Sequence, residues 1–207
     1  MSKRIGIFSG TFDPVHKGHI SFALQAIEAA GLDEVVFLPE TRPRHKHDVT
    51  HLSHRLEMIK LASKAYPNIK ILELPDKQFS VAISLPRLIK EYPNDQLLML
   101  VGTDVLGHIS VWPHVRTLLK RVGLVVACRG EKDERQALQL LSQLPVEPSE
   151  SHVLVSNFKQ VASRDIRDAI KSGDIPEGML GSVASYAVKN WLYSSFPSSS
   201  SAKRAGK

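Results

Sequence analysis

Short apolar runs alternate along the chain with longer stretches in which apolar residues recur every three or four positions. Ile5-Gly6-Ile7-Phe8 predicts a first strand. From Ile20 to Ala30, residues Phe22, Ala23, Ala26, Ile27 and Ala30 keep helical spacing, and Gly31 stands where a helix C-terminal glycine belongs. Val35 to Leu38 is a second strand closed by Pro39, Leu56 to Ala65 a second helix, and Ile69 to Leu72 a third strand. Ser80 to Tyr92 is helical, interrupted or started late by Pro86, which has no N–H to give a helix interior. Leu97 to Val101 and Val122 to Ala127 are the fourth and fifth strands. Glu131 to Leu144 follows as a helix with a polar face, and Val153 to Val155 as a short sixth strand. Two last helices fit Asp165 to Lys171 and Val183 to Tyr193.

Continuous Val/Ile/Leu strands separated by helices predict a parallel sheet covered on both faces. The expected fold class is α/β: a single doubly wound, Rossmann-like domain over residues 1–195. Residues 196–207, Ser-rich and basic, read as a disordered tail. Ligands of such sheets bind beyond the carboxyl ends of the strands, so the residues after strands one and four carry most weight.

Composition narrows the function classes. The single cysteine, Cys128, excludes a disulfide framework and a Cys-rich zinc site. No apolar run approaches the ~20 residues of a membrane helix, and the start lacks a secretory signal, so a cytoplasmic protein without a membrane partner is expected. The net charge is +6, but the last ten residues hold Lys203, Arg204 and Lys207 and no acid. The mildly basic body suits anionic small molecules, and no aromatic-basic surface for nucleic acid stands out.

Directly after the first strand comes Ser9-Gly10-Thr11-Phe12-Asp13-Pro14-Val15-His16-Lys17-Gly18-His19. Gly10 lets a backbone approach a ligand closely, and Pro14 stiffens the loop. His16 and His19 stand three apart at a helix start, where free N–H groups and the positive dipole end favour phosphate. Two imidazoles there suit charge developing on a phosphoryl group. A zinc pair fits the spacing too, but no third ligand is evident nearby. Two loop histidines with ordinary hydrogen bonds are the bland reading, and a whole run of residues suited to one purpose argues against it.

The stretch Gly10 to His19 resembles the HxGH signature of the nucleotidyltransferase α/β-phosphodiesterase superfamily. Pro43-Arg44-His45-Lys46, His54-Arg55-Leu56-Glu57-Met58, Gly102-Thr103-Asp104 with Trp112, and the end pattern Val183…Tyr186…Leu192-Tyr193 are similar to the bacterial nicotinate-nucleotide adenylyltransferase family. That resemblance implies transfer of the adenylyl group of ATP to nicotinate mononucleotide, giving nicotinate adenine dinucleotide and pyrophosphate. Mg²⁺, held mainly by the phosphates, is the implied cofactor. The alternative is another acceptor of the superfamily, nicotinamide mononucleotide or pantetheine phosphate. Outside enzymes, a nucleic-acid binder and a catalytically dead sensor remain, and retention of both histidines argues against the sensor.

The resemblance also implies roles. His16 and His19 would contact the ATP phosphates, with Thr11 and the backbone around Gly10 and Phe12 lining them. Gly102 and Asp104 would hold the ribose, and helix capping is an alternative for Asp104. Lys46 and Thr103 would bind the acceptor, and Trp112 would stack on its pyridine ring unless it is a core residue. The family's second phosphate motif reads Ser-Ser-Thr-x-Ile-Arg, and this chain has Ala162-Ser163-Arg164-Asp165-Ile166-Arg167. Ser163, Ile166 and Arg167 match it. Arg164 either takes over a phosphate contact or turns to solvent and pairs with Asp165 or Asp168. Ser163 suits a helix cap, and Arg167 a bidentate phosphate contact.

Overall fold

The computed structural model describes residues 2–43, 48–155, 161–174 and 176–194. Six parallel strands form one sheet in the order β3-β2-β1-β4-β5-β6: β1 (Arg4–Gly10), β2 (Glu34–Pro39), β3 (Ile69–Ile71), β4 (Gln96–Gly102), β5 (Gly123–Cys128) and β6 (Ser151–Val155). Among the described residues, eight helices connect or follow them: α1 (Lys17–Ala29), α2 (Leu52–Ser63), α3 (Ser84–Glu91), α4 (Thr103–Ile109), α5 (Val115–Arg121), α6 (Glu131–Ser142), α7 (Ser163–Lys171) and α8 (Gly181–Lys189). This is the α/β doubly wound architecture that the apolar pattern predicts.

Alternate strand residues feed two cores. Val35, Phe37, Leu98, Leu100 and Val125 pack with Phe22, Met58, Ile166 and Val183, from α1, α2, α7 and α8. Ile5, Ile7, Val36, Leu38, Leu97, Met99, Leu124 and Val126 pack on the other face with Leu88, Leu106, Leu118 and Ala137, from α3, α4, α5 and α6. Side chains alternate with period two along a strand, so apolar residues at every position mean that both faces are covered.

Helix α1 starts at Lys17, ahead of the expected Ile20, because His16 is its N-cap. It ends as expected: Gly31 has φ +59°, and Leu32 N–H donates to the Ile27 carbonyl at 3.0 Å, a Schellman closure. Two helices went unpredicted, α4 and α5, each seven residues long between β4 and β5. They are too short to display a helical period. Helix α8 stops at Lys189 and does not reach Tyr193. Trp191 (φ +53°) and Tyr193 (φ +64°) are left-handed and turn the chain back on itself. The expected tail and Lys46 lie outside the described residues. Among those described, no helix is long and apolar enough to cross a membrane.

Candidate active site

The strand order reverses between β1 and β4, because β1 sends its connection to β2 on one side while β4 leads to β5 on the other. The crevice opens there, beyond the carboxyl ends. Two cavities meet in it and share Phe8 and Gly102 in their walls. One, of about 360 Å³, is bordered by Thr11, Glu40, Pro43, Phe79 and Trp112. The other, of about 290 Å³, is bordered by His16, His19, Asp104, Arg129 and Ser163.

The histidine pair is built by the start of α1. The backbone N–H of His16 donates to Nδ1 of His19 at 3.2 Å. That bond occupies the Nδ1 lone pair, so neutral His19 carries its proton on Nε2. The two rings stack with centroids 3.7 Å apart and an interplanar angle of 27°. Phe12 meets His19 edge-on at 5.1 Å. His16 is buried, its Nδ1 has no hydrogen-bond partner, and burial pushes its pKa down to about 4. It is therefore neutral near pH 7.

The turn between β1 and α1 is bolted from three sides. Arg55 donates to the Thr11 carbonyl at 2.7 Å, Arg167 to the Asp13 carbonyl at 2.7 Å and Ser163 Oγ to the Pro14 carbonyl at 3.0 Å. The buried Asp13 carboxylate accepts from Tyr193 Oη at 2.6 Å and from Thr50 N–H at 3.1 Å. Burial, reinforced by the Asp13 charge, pushes the Tyr193 phenol far up, so it remains a donor. The Asp13–Pro14 peptide is cis.

The two glycines of the site differ in purpose. A Cβ on Gly102 would meet nothing within 4 Å, so its bareness keeps the crevice open where the cavities join. A Cβ on Gly10 would come within 3.1 Å of the Phe12 ring, which stacks on Phe37 at 4.9 Å. Gly10 is thus bare for packing, and Phe12 (φ +50°) puts its side chain into the core instead of the crevice.

Other residues separate along the same line. Gly10 and Thr11, expected beside the ATP phosphates, border the larger cavity with Trp112. Thr103, expected beside the acceptor, borders the smaller one, and its hydroxyl donates to the Ala127 carbonyl at 3.1 Å. Trp112 is half-buried against Phe79, with ring centroids 6.1 Å apart, so it is both a core residue and a cavity wall. Asp104 sits in the first turn of α4, with Gly102 as the cap, and its side chain is 91% exposed beside Arg129 at 3.7 Å.

At α7 the cap is Ala162, which has no side-chain oxygen, and Ser163 is the first helical residue. The first-turn amides therefore receive no side-chain cap, and Ala162 and Ser163 border the smaller cavity. Ile166 is 1% exposed in the core, and its N–H is spent on the Ala162 carbonyl. Arg164 points away: its side chain is 83% exposed and pairs with Asp168 at 3.7 Å.

The cytidylyltransferase-like family matches residues 7–176. A nicotinate-nucleotide adenylyltransferase of Bacillus subtilis is 35% identical over 177 residues, 82% of this chain and 94% of its own. The chain belongs to the nicotinate-nucleotide adenylyltransferase family. These are nucleotidyltransferases, and the fold agrees with theirs. A Plasmodium falciparum nicotinic acid mononucleotide adenylyltransferase complexed with NaAD superposes with TM-score 0.76 at 17% identity, covering 92% of this chain and 97% of that one. The same enzyme complexed with APC gives 0.74 at 16% identity with the same coverage.

Sequence reasoning gave no role to Asp13, Arg55, Tyr193 or Arg129 in this family member. Asp13, Arg55 and Tyr193 did lie in stretches that match the family or its superfamily, and that was the available signal. Nothing in the spacing shows that residues 13, 55 and 193 meet.

Proposed function

We propose that the protein transfers the adenylyl group of ATP to the phosphate of nicotinate mononucleotide, releasing pyrophosphate. The observation that carries this reading is the pair of adjoining cavities over β1 and β4. One is edged by imidazoles and an uncapped helix start, the other by a tryptophan and apolar walls. ATP occupies the first and the mononucleotide the second, so the reacting groups meet near Phe8 and Gly102, where the walls are shared.

In the reaction an oxygen of the acceptor phosphate attacks the α-phosphorus of ATP, the bond to the β-phosphate oxygen breaks, and pyrophosphate leaves with that oxygen. Such catalysis rests on position and charge neutralisation. His19 offers Nε2–H to the phosphate oxygens, and buried neutral His16 sets its ring plane and tautomer. Ser163 and the first-turn amides of α7 receive the outer phosphates, joined by whichever donors of Arg167 Asp13 does not use. Asp104 accepts from ribose hydroxyls, displacing Arg129. Trp112 stacks on the pyridine ring, and Lys46 supplies a point charge to phosphate.

No three His, Cys, Asp or Glu side chains come together among the described residues. A Mg²⁺ ion would arrive on the triphosphate and keep its water, as Mg²⁺ prefers. When bound, it neutralises phosphate charge.

The test is pyrophosphate release from ATP with nicotinate mononucleotide, nicotinamide mononucleotide and pantetheine phosphate in parallel. The nicotinate substrate is expected to give the highest kcat/KM. Higher kcat/KM with either other acceptor reassigns the larger cavity, and no release with any acceptor overturns the reading.

A further inference from the structure

Arg55 is left without a part in this chemistry, yet it is the bulkiest fully buried side chain among the described residues, 1% exposed. Its guanidinium serves three backbone carbonyls. Nη1 donates to Thr11 at 2.7 Å, Nε to Thr50 at 2.8 Å and Nη2 to Thr41 at 3.4 Å. Thr11 borders the larger cavity, and so do Glu40 and Pro43, which flank Thr41 in the chain. Asp13 closes the arrangement by accepting from Thr50 N–H, and it lies in the turn that leads to His16.

A buried cation is costly, and its commonest compensation is an ion pair. Here the direct partners are three neutral carbonyls. Burial pulls the guanidinium's pKa down, and the neighbouring Asp13, then Tyr193 and Glu40, act against that. A planar fork with donors on three nitrogens can join three carbonyls at once, whereas an ammonium is a point charge.

We propose that Arg55 is a positioning residue that locks the wall of the larger cavity to the histidine turn, and so sets where the acceptor phosphate stands relative to the α-phosphorus of ATP. The inference rests on the larger cavity holding the mononucleotide. Arg55 touches neither substrate, so its loss acts on the acceptor and on the in-line geometry. The smaller cavity shares the histidine edge, but it keeps its other walls from α4, β5 and α7.

The experiment compares wild type with Arg55→Lys, which keeps the charge and loses the fork, and Arg55→Gln, which keeps a planar donor group and loses the charge. Steady-state pyrophosphate release is measured against each substrate, and amide hydrogen exchange on the ligand-free protein. With Arg55→Lys, kcat/KM for the acceptor is expected to fall ~10–100-fold, the scale of a misplacement near 1 Å, with the KM for ATP within about twofold of wild type. Exchange is expected to rise by about 10-fold or more in residues 11–17 and at Thr50, with β4 and β5 unchanged.

Wild-type kinetics in a folded Arg55→Lys, an equal rise in both KM values, or unchanged exchange overturns the proposal. Failure of both variants to fold overturns it as well, because Arg55 is then a folding residue. If the wild type prefers another acceptor, the kinetic split is read on that one. If the wild type turns over no acceptor, the proposed function has failed, and the exchange measurement decides Arg55 by itself.

Discussion

Acid should weaken this fold through one histidine. His16 is 5% exposed, its Nδ1 has no partner, and its pKa is lowered to about 4 from 6.5. Protonating it would place a cation in the core and against the His19 ring, 3.7 Å away between centroids. The unfolded chain takes up this proton near pH 6.5, and the folded chain only near pH 4. Across that window the unfolded state binds more protons, so stability falls as pH falls. Above about 6.5 the group contributes nothing to the pH dependence, and below about 4 its effect is complete.

At 1.36 kcal/mol per pKa unit, the full loss is roughly 3 kcal/mol, a large part of the 5–15 kcal/mol of a typical domain. His16→Phe keeps an aromatic ring on His19 and removes the titration. Urea unfolding at pH 7.5, 6.5, 5.5, 4.5 and 4.0 gives the stability difference between wild type and variant. That difference should move in the variant's favour by roughly 3 kcal/mol between pH 6.5 and 4, with equal m-values. Parallel pH profiles for the two proteins would refute the reasoning, because they would mean that His16 titrates alike in both states.

Three further outcomes are expected. His19→Ala should lower kcat for pyrophosphate release ~10²–10³-fold, the usual cost of one transition-state donor. Its urea midpoint should stay near that of wild type. Trp112→Ala should raise the acceptor KM about tenfold or more, since stacking on an aromatic is worth ~1–3 kcal/mol, and leave the KM for ATP unchanged. Unchanged acceptor kinetics with a lower melting temperature would leave Trp112 as a packing residue only. Arg164→Ala and Arg164→Thr should both bind ATP within about twofold of wild type, because the side chain lies in an exposed pair with Asp168, and such pairs contribute little. A tenfold loss in calorimetry would return Arg164 to the phosphate site.

Much of this protein was determined by local pattern. Apolar strands such as Leu97 to Val101 can only be buried on both faces, and that fixes a covered parallel sheet. Gly31 fixed the end of α1 because its left-handed conformation favours glycine. The run from Ser9 to His19 marked the crevice because strand, turn and helix start are consecutive in the chain. Each of these signals acts within a few residues, so each is written in order along the sequence.

What remained belongs to contacts between distant segments. Whether Gly10 is bare for a ligand or for Phe12 depended on where the Phe12 ring packs. The fate of Arg164 turned on which face of α7 meets the core, and Ile166 took that face. Asp13 finds Thr50 and Tyr193, and Arg55 finds Thr11, only after the sheet has brought those segments together. A buried polar group must find a partner, but its own type does not say which one. The sequence therefore determined the strands, the turn and the histidines. Only the tertiary structure decided what holds that turn in place, because hydrogen bonding across the fold depends on proximity that periodicity does not encode.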